Sequence, residues 1–434
     1  MPINDKWIYS MDKRLEKRYQ KLVRSHMQTN QELASGIKSH LNNDSAFAQT
    51  QAAWRFLNNE NCTLIELSKP LLSAAHELCR NECSQYALVA HDWSHLSYGK
   101  HKSKSDSYNT IKNSVGYELQ TSLLLSDAHG GPLSVVGINL KDKKQIHSSY
   151  SNEVERKSTH LEALSQQITW LEAQGFNKKL VHIIDREADS VGFLRELEGK
   201  LWLIRGKGHH KANDGNNIRK IQDIAKDLLF NEERTIEYKG KKAIQKIAET
   251  TISITRPANP RKVSADGKRV KVINGPAITC RLIVSKILDD KNIEIGMWFL
   301  LTSVRDVSKA TIALWYYWRW SIETFYKLMK SAGMQLESWQ QTTSLAIAKR
   351  IMVASMACVT VWRIANAKGP EASEIRKLLI RLSGRQMKRK KEFTYTALLA
   401  GLWALLSMDD MLETIGAEKI KSLLAKLVGE CKFI

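Results

Sequence analysis

Two short apolar runs, YALVAHD at 86–92 and KLVHIID at 179–185, each close on an aspartate. Runs of this length, rich in aliphatic and β-branched residues, predict strands buried on both faces. An acid at the end of such a strand costs free energy unless something pairs with it. In open α/β sheets the carboxyl ends of strands are also where sites form. A single acid there is often a helix cap or a salt-bridge partner. Asp92 and Asp185, on neighbouring strands and aimed at one end of a sheet, more often bind a divalent cation.

The surrounding segments complete the pattern. GYELQTSLLLSD (116–127) and PLSVVGINLK (132–141) predict strands joined through AHGG, a hairpin signal. SNEVERKSTHLEALSQQITWLEAQG (151–175) predicts a helix stopped by Gly175, DSVGFLRELEG a second helix, and LWLIRGK (201–207) a further strand. Three strands with a hairpin, then helix, strand, helix, strand is the order of a ribonuclease-H-like core. The expected fold class is therefore α/β, a mixed sheet with helices on both faces. Residues from about 209 to 300 read as an inserted β subdomain, with an exposed basic loop at RPANPRKVSADGKRVKVINGP (256–276).

Helical domains flank this core. Residues 1–70 fit a helical DNA-recognition domain, 71–370 the catalytic domain, and 371–434 a helical C-terminal domain. Asp12 can cap the helix KRLEKRYQKLVRSH, with Leu15, Leu22 and Val23 on its apolar side. AFAQTQAAWRFL (46–57) predicts a second helix with Phe47, Trp54 and Leu57 inward. An ordinary helical cap with solvated lysines fits the same residues. The C-terminal helices fit a homodimer contact or simply more core.

Charge narrows the partners. The 434 residues carry a net charge of +21, which has to face something anionic, and nucleic acid is the first candidate. The N-terminal residues have no apolar h-region, so no signal peptide is expected. The apolar stretch IMVASMACVTVW (351–362) falls short of the ~20 residues that span a bilayer. Six cysteines make no disulfide framework and read as buried or free thiols in a reducing, cytoplasmic compartment. His91 and His95 flank Asp92, but a zinc site there lacks a fourth ligand; His209 and His210 read as solvated. No nucleophile elbow, phosphate-binding loop or dinucleotide fingerprint occurs at a strand-to-helix junction.

The third carboxylate lies in SKATIALWYYWRWSIETFYKLMKSAG (308–333), which predicts one long helix. With Arg319 at the origin and ~100° per residue, Tyr316, Glu323, Lys327 and Lys330 fall within about 80° of it. Trp318, Ile322, Phe325, Leu328 and Met329 take the opposite side. A solvated stripe with helix salt bridges fits this pattern. Taken with Asp92 and Asp185, it also fits three carboxylates that hold two Mg²⁺ or Mn²⁺ ions for phosphoryl transfer. Arg319, Lys327 and Lys330 would then hold phosphates beside the metals.

These strings resemble the insertion-sequence-four family of DDE transposases. HDWSHLSY carries the first acid, DREADSVGFL the second, and YYWRWSIETFYKLMK fits the family's Tyr-x-x-Arg-x-x-x-Glu-x6-Lys signature through Tyr316, Arg319, Glu323 and Lys330. AFAQTQAAWRFLNN is similar to its DNA-recognition region. The resemblance implies a cut-and-paste transposase, bacterial and associated with the nucleoid. It would pair two inverted terminal repeats in a homodimer, nick, form and resolve a hairpin, and join the ends to target DNA. It implies Asp92, Asp185 and Glu323 as metal ligands and Tyr316, Arg319, Lys327 and Lys330 as phosphate contacts. Trp298 matches the position that stacks a flipped base, though a core tryptophan fits it too. Arg205 and Lys207 match a DNA-contacting stretch, or a basic strand end. A related nuclease without strand transfer, or an inactive DNA-binding relative, are the alternatives; the second is expected to have lost an acid.

Overall fold

The computed structural model describes residues 12–28, 43–110, 114–154, 159–238, 240–258, 273–330, 333–388 and 391–428. Two compact units result: Leu71–His95 with Glu118–Thr324, and Met1–Pro70 with Leu96–Tyr117 and Phe325–Ile434. Residues 325–370, placed with the catalytic core by sequence, thus cluster with the terminal helices.

The strands are β1 (Tyr86–Ser97), β2 (Tyr108–Asn109), β3 (Val115–Ser126), β4 (Pro132–Lys141), β5 (Ile146–Ser148), β6 (Lys179–Ile184), β7 (Leu201–Gly206), β8 (Lys211–Asn213), β9 (Ile218–Lys220), β10 (Glu232–Tyr238), β11 (Lys241–Ile254), β12 (Ile278–Leu288) and β13 (Glu294–Thr302). The helices are α1 (Lys13–Gln28), α2 (Asn43–Leu57), α3 (Leu64–Glu82), α4 (His160–Glu172), α5 (Val191–Glu196), α6 (Ile221–Lys226), α7 (Lys309–Trp318), α8 (Ser321–Met329), α9 (Ser344–Asn366), α10 (Pro370–Leu382), α11 (Tyr395–Ile415) and α12 (Ala417–Val428).

The sheet runs β5-β4-β3-β1-β6-β7-β13-β12-β11-β8-β9. Its segment β4-β3-β1-β6-β7 is the ribonuclease-H-like order, with β3–β4 antiparallel and β1–β6 and β6–β7 parallel. The insertion does not stand apart. Its last strand, β13, pairs antiparallel with β7, Thr302 opposite Leu203, so the insertion prolongs the same sheet. Ile184, Trp202, Ile204, Leu282, Val284 and Leu301 share one core across that junction.

Four local expectations change. β1 does not stop at Asp92 but runs on to Ser97. α4 starts at His160 rather than Ser151, because Thr159 and Glu162 cap each other reciprocally. The long helix is two helices, α7 and α8. The break at Arg319–Trp320 is closed by three-residue hydrogen bonds, Ile322 N–H to Arg319 O and Glu323 N–H to Trp320 O. Trp318 there lies against Gly130, at φ +68°, where a Cβ would sit 2.2 Å from the indole; Ser321 Oγ donates to Gly130 O at 3.2 Å. In α2, Ala53, Phe56 and Leu57 are buried and Trp54 is 63% exposed, so the inward stripe is rotated by one residue from the predicted one. Phe47's side chain and residues 259–272 of the basic loop lie outside the described residues.

In the helical unit, Asp12 Oδ1 accepts from Arg14 N–H at the start of α1, as expected. α9 extends the apolar run 351–362 to 23 residues. It is long and apolar enough to cross a membrane by length and composition, against the sequence expectation, but its most apolar stretch is 89% buried within the chain. It is the core helix of this unit, and α1 and α11 both pack on it. Cys62, Cys79, Cys83, Cys280 and Cys358 are buried free thiols.

Candidate active site

The register of β1 and β6 places the first two acids. The last parallel pair is His91 with Ile184. Asp92 and Asp185 are the next residue on each strand. Beyond that point β1 continues without β6, while the chain after β6 turns into a short 3₁₀ helix, Arg186–Ala188. Asp92 is therefore at the site without being at a strand end: its partner strand stops there.

Glu323 arrives from the first turn of α8. Arg319, in the break before α8, reaches both carboxylates: Nη1 is 3.3 Å from Asp92 Oδ2 and Nη2 is 3.6 Å from Glu323 Oε1. Asp185 is held by different groups. Tyr316 donates its hydroxyl to Asp185 Oδ1 at 3.0 Å, and Arg205 Nη1 lies 3.9 Å from the same oxygen. The Arg319 side chain is 6% exposed, whereas those of Asp92, Asp185 and Glu323 are 22%, 39% and 39% exposed. The cation is inside and the acids open outward. Of the stripe predicted on one long helix, Tyr316 and Glu323 stand beside Arg319 in a half-buried wall, whereas Lys327 and Lys330 fall in the other unit.

The electrostatics separate the two aspartates. Burial pushes the Asp92 carboxyl up to about 7; Arg319 opposes this and the neighbouring Glu323 adds to it. Burial also acts upward on Asp185. It is outweighed by the Arg186 backbone N–H, Arg319, the Tyr316 hydroxyl and Arg205, which hold that carboxyl below its ordinary value. Burial and the adjacent charges of Asp185 raise the Tyr316 phenol, so it stays a donor.

The donor chemistry suits a hard divalent cation: three carboxylates on sheet and helix, with Glu323 close enough to Asp92 to disfavour its charge. Among the described residues, however, no three His, Cys, Asp or Glu side chains converge into a closed metal-binding group. Asp92 and Glu323 share Arg319, and Asp185 is tied to Tyr316.

The other predicted residues take distinct places. Trp298, on β13, is 9% exposed and meets Tyr316 and Tyr238 edge-on. Arg205 faces Asp185, while Lys207 donates its backbone N–H to Asp189 Oδ2 at 2.6 Å. Lys327 is exposed on α8, and Lys330 lies 3.4 Å from Glu337; both belong to the helical unit. His91 is not a zinc ligand: its nitrogens face Ser122 Oγ at 2.7 Å and His182 Nδ1 at 2.9 Å in a buried row. His210 is not solvated either. Its Nδ1 is 2.8 Å from the fully buried Asp189, which also pairs with Arg256 at 3.3 Å. Asp189 and His160 went unread as site residues, although DREAD carries Asp189 and Glu187, two anchors of the site's walls.

Residues 145–360 match the family model described as the transposase DDE domain. The matched span contains Asp185, Arg319 and Glu323, and Asp92 lies before it. No curated protein matches the sequence. Among solved structures, the cryo-EM structure of the piggyBac transposase synaptic complex with hairpin DNA is similar over 96% of this chain and 74% of that one. The identity is 9% and the TM-score 0.36, a remote likeness.

Proposed function

We propose that this chain is a DNA transposase that cuts and joins phosphodiesters at transposon ends through Asp92, Asp185 and Glu323. The observation that supports this most is the register itself. Two parallel strands release their aspartates at the same level, the second of them inside the span that matches the transposase DDE domain model, and a glutamate meets the first through a shared arginine. When bound, two Mg²⁺ or Mn²⁺ ions would activate the attacking oxygen and stabilise the leaving oxygen. The three carboxylates would hold those ions, and Arg319 would keep Asp92 and Glu323 in place until then. Tyr316 orients Asp185 through its hydroxyl. Arg319, Lys327, Lys330, Arg205 and Lys207 would take phosphates of the transposon end and the target DNA, setting position rather than reading bases. Trp298 would stack a base extruded during hairpin formation, which requires Tyr238 or Tyr316 to uncover its ring. Two copies of the chain would work on paired ends.

The test is a cleavage and strand-transfer assay with Mg²⁺ or Mn²⁺ on DNA carrying the sequences that flank the gene. Metal-dependent release of the ends and their joining to target, lost in Asp185→Ala, is the expected result. Binding without cleavage would point to an inactive DNA-binding protein, and cutting without end specificity or joining to a plain nuclease.

A further inference from the structure

His160, the first residue of α4, sits in a wall of the site with every side of its ring engaged. The imidazole stacks flat on Trp93, with centroids 3.9 Å apart and planes 12° apart. Its Nδ1 is 2.8 Å from Glu187 Oε1 and its Nε2 is 3.1 Å from Glu118 Oε2. Lys141 approaches Glu118 from β4 at 3.6 Å. A neutral imidazole has one N–H and could serve only one of those carboxylates. Two carboxylates at hydrogen-bond distance from the two nitrogens therefore select the imidazolium, and the cation lies over the face of an indole that favours positive charge. The ring is 17% exposed, so water screens these contacts little.

The chain neighbours of its partners give this arrangement its meaning. Trp93 follows Asp92 on β1, and Glu187 lies two residues after Asp185. β1 and β6 stop pairing at His91 and Ile184, so no backbone ladder joins them at the level of the acids. We propose that His160 is a positioning residue: as an imidazolium it ties Trp93 to Glu187 and so sets the gap between Asp92 and Asp185 where the strand pairing has ended. The proposal rests on the reading of those acids as the metal-holding site.

The full-length protein tests it in two measurements. In the first, ring-nitrogen NMR of ¹⁵N-histidine protein at neutral pH should show one histidine with both nitrogens protonated, and His160→Gln should remove that signal. Burial works against the charge, but Glu118 and Glu187 outweigh it and raise this imidazole to about 9, so the signal should survive where an ordinary histidine is neutral. A neutral ring at His160 overturns the proposal. In the second, Mn²⁺ binding is followed by isothermal titration. His160→Gln should weaken it about tenfold, the usual scale for residues behind metal ligands. His160→Arg should restore most of it, since a guanidinium can stack on Trp93 and serve two carboxylates. Should His160→Gln not fold, Glu187→Gln cuts the same tie at its exposed end and should weaken Mn²⁺ in the same direction. Mn²⁺ affinity unchanged in these variants overturns the role of His160 alone. Wild-type protein binding Mn²⁺ no better than Asp92→Asn overturns the site reading itself, and the proposal with it.

Discussion

Trp298 meets Tyr316 edge to face, with ring centroids 5.4 Å apart and planes at 65°. Because Tyr316 in turn donates to Asp185, the inserted strands brace one of the acids through two aromatic rings. Trp298→Ala should therefore lower stability by about 3–5 kcal/mol, the usual scale for a buried aromatic cut to alanine. Trp298→Phe should recover much of that. Denaturant unfolding checks both, and an unchanged midpoint in the alanine variant would mean the ring is not packed. In the cleavage assay, hairpin formation should fall further than first-strand nicking. Equal losses at both steps would leave only the bracing role.

Arg319 is the next most consequential side chain. It is nearly enclosed and holds Asp92 and Glu323 together. Removing one partner from such a cluster leaves carboxylates facing each other with nothing between them, at about 3–5 kcal/mol. Arg319→Ala should show that loss. Arg319→Lys should recover only part, because a single ammonium cannot fork between two carboxylates. Mg²⁺ should raise the melting temperature of Arg319→Ala more than that of the wild type; an equal rise would separate the cation from this pair.

Asp92 predicts a dependence on pH. Its folded-state carboxyl is raised to about 7, chiefly by burial, against an ordinary value near 4. The folded chain then holds a proton that the unfolded chain releases, so this group favours folding at acid pH and loses that effect as pH rises toward 7. Asp92→Asn is neutral throughout. Its melting temperature should gain on the wild type between about pH 4 and about pH 7. A difference that stays constant over that range would show that Asp92 is not perturbed.

Much of this was legible in the residues. The two strands and the fold order follow from apolar runs and hairpin punctuation, which are local signals; the register that levels Asp92 with Asp185 is read only from the structure. The grouping of Tyr316, Arg319 and Glu323 followed from helical spacing and survives the break between α7 and α8, because a tightened turn changes the rise more than the facing. The break itself was not legible: it depends on Trp318 seating on Gly130 and on Ser321 reaching that turn, partners far away in sequence. Trp54 was misplaced because a helix with alanines on several sides does not mark its buried face clearly. His160 has no sequence signature, since its three partners come from three different strands and turns.

His26, in the helical unit, gives a second pH dependence of opposite sign. Its Nδ1 is 2.8 Å from Leu22 O and so carries the proton, while its Nε2 accepts from Arg350 Nε at 3.1 Å. Burial, with Arg350 beside it, lowers this imidazole to about 3. The unfolded chain takes up a proton near pH 6.5 that the folded chain refuses, so stability is lost as pH falls from about 6.5 toward 3. His26→Gln should cost about 1 kcal/mol at neutral pH through a poorer hydrogen bond. It should also flatten the acid limb of the melting curve. An acid limb as steep as in the wild type would assign it to other groups.

The acids and the cations should part company in DNA binding. Carboxylates that hold metal contribute nothing attractive to a phosphate in the metal's absence, so Asp185→Ala should abolish cleavage while DNA affinity holds or rises. Cations that neutralise phosphates release counterions, and each contributes about −0.9 to the slope of log affinity against log salt. Lys327→Ala should therefore weaken binding about equally across sequences and reduce the slope by about 1. Arg205→Ala should do the same and, because Arg205 also faces Asp185 at 3.9 Å, should slow cleavage as well. Filter binding or fluorescence anisotropy across a salt series, run without metal, reads all three. A slope unchanged in Lys327→Ala and Arg205→Ala would remove these cations from the DNA surface, and loss of binding in Asp185→Ala with intact folding would make that acid a DNA contact instead of a metal ligand.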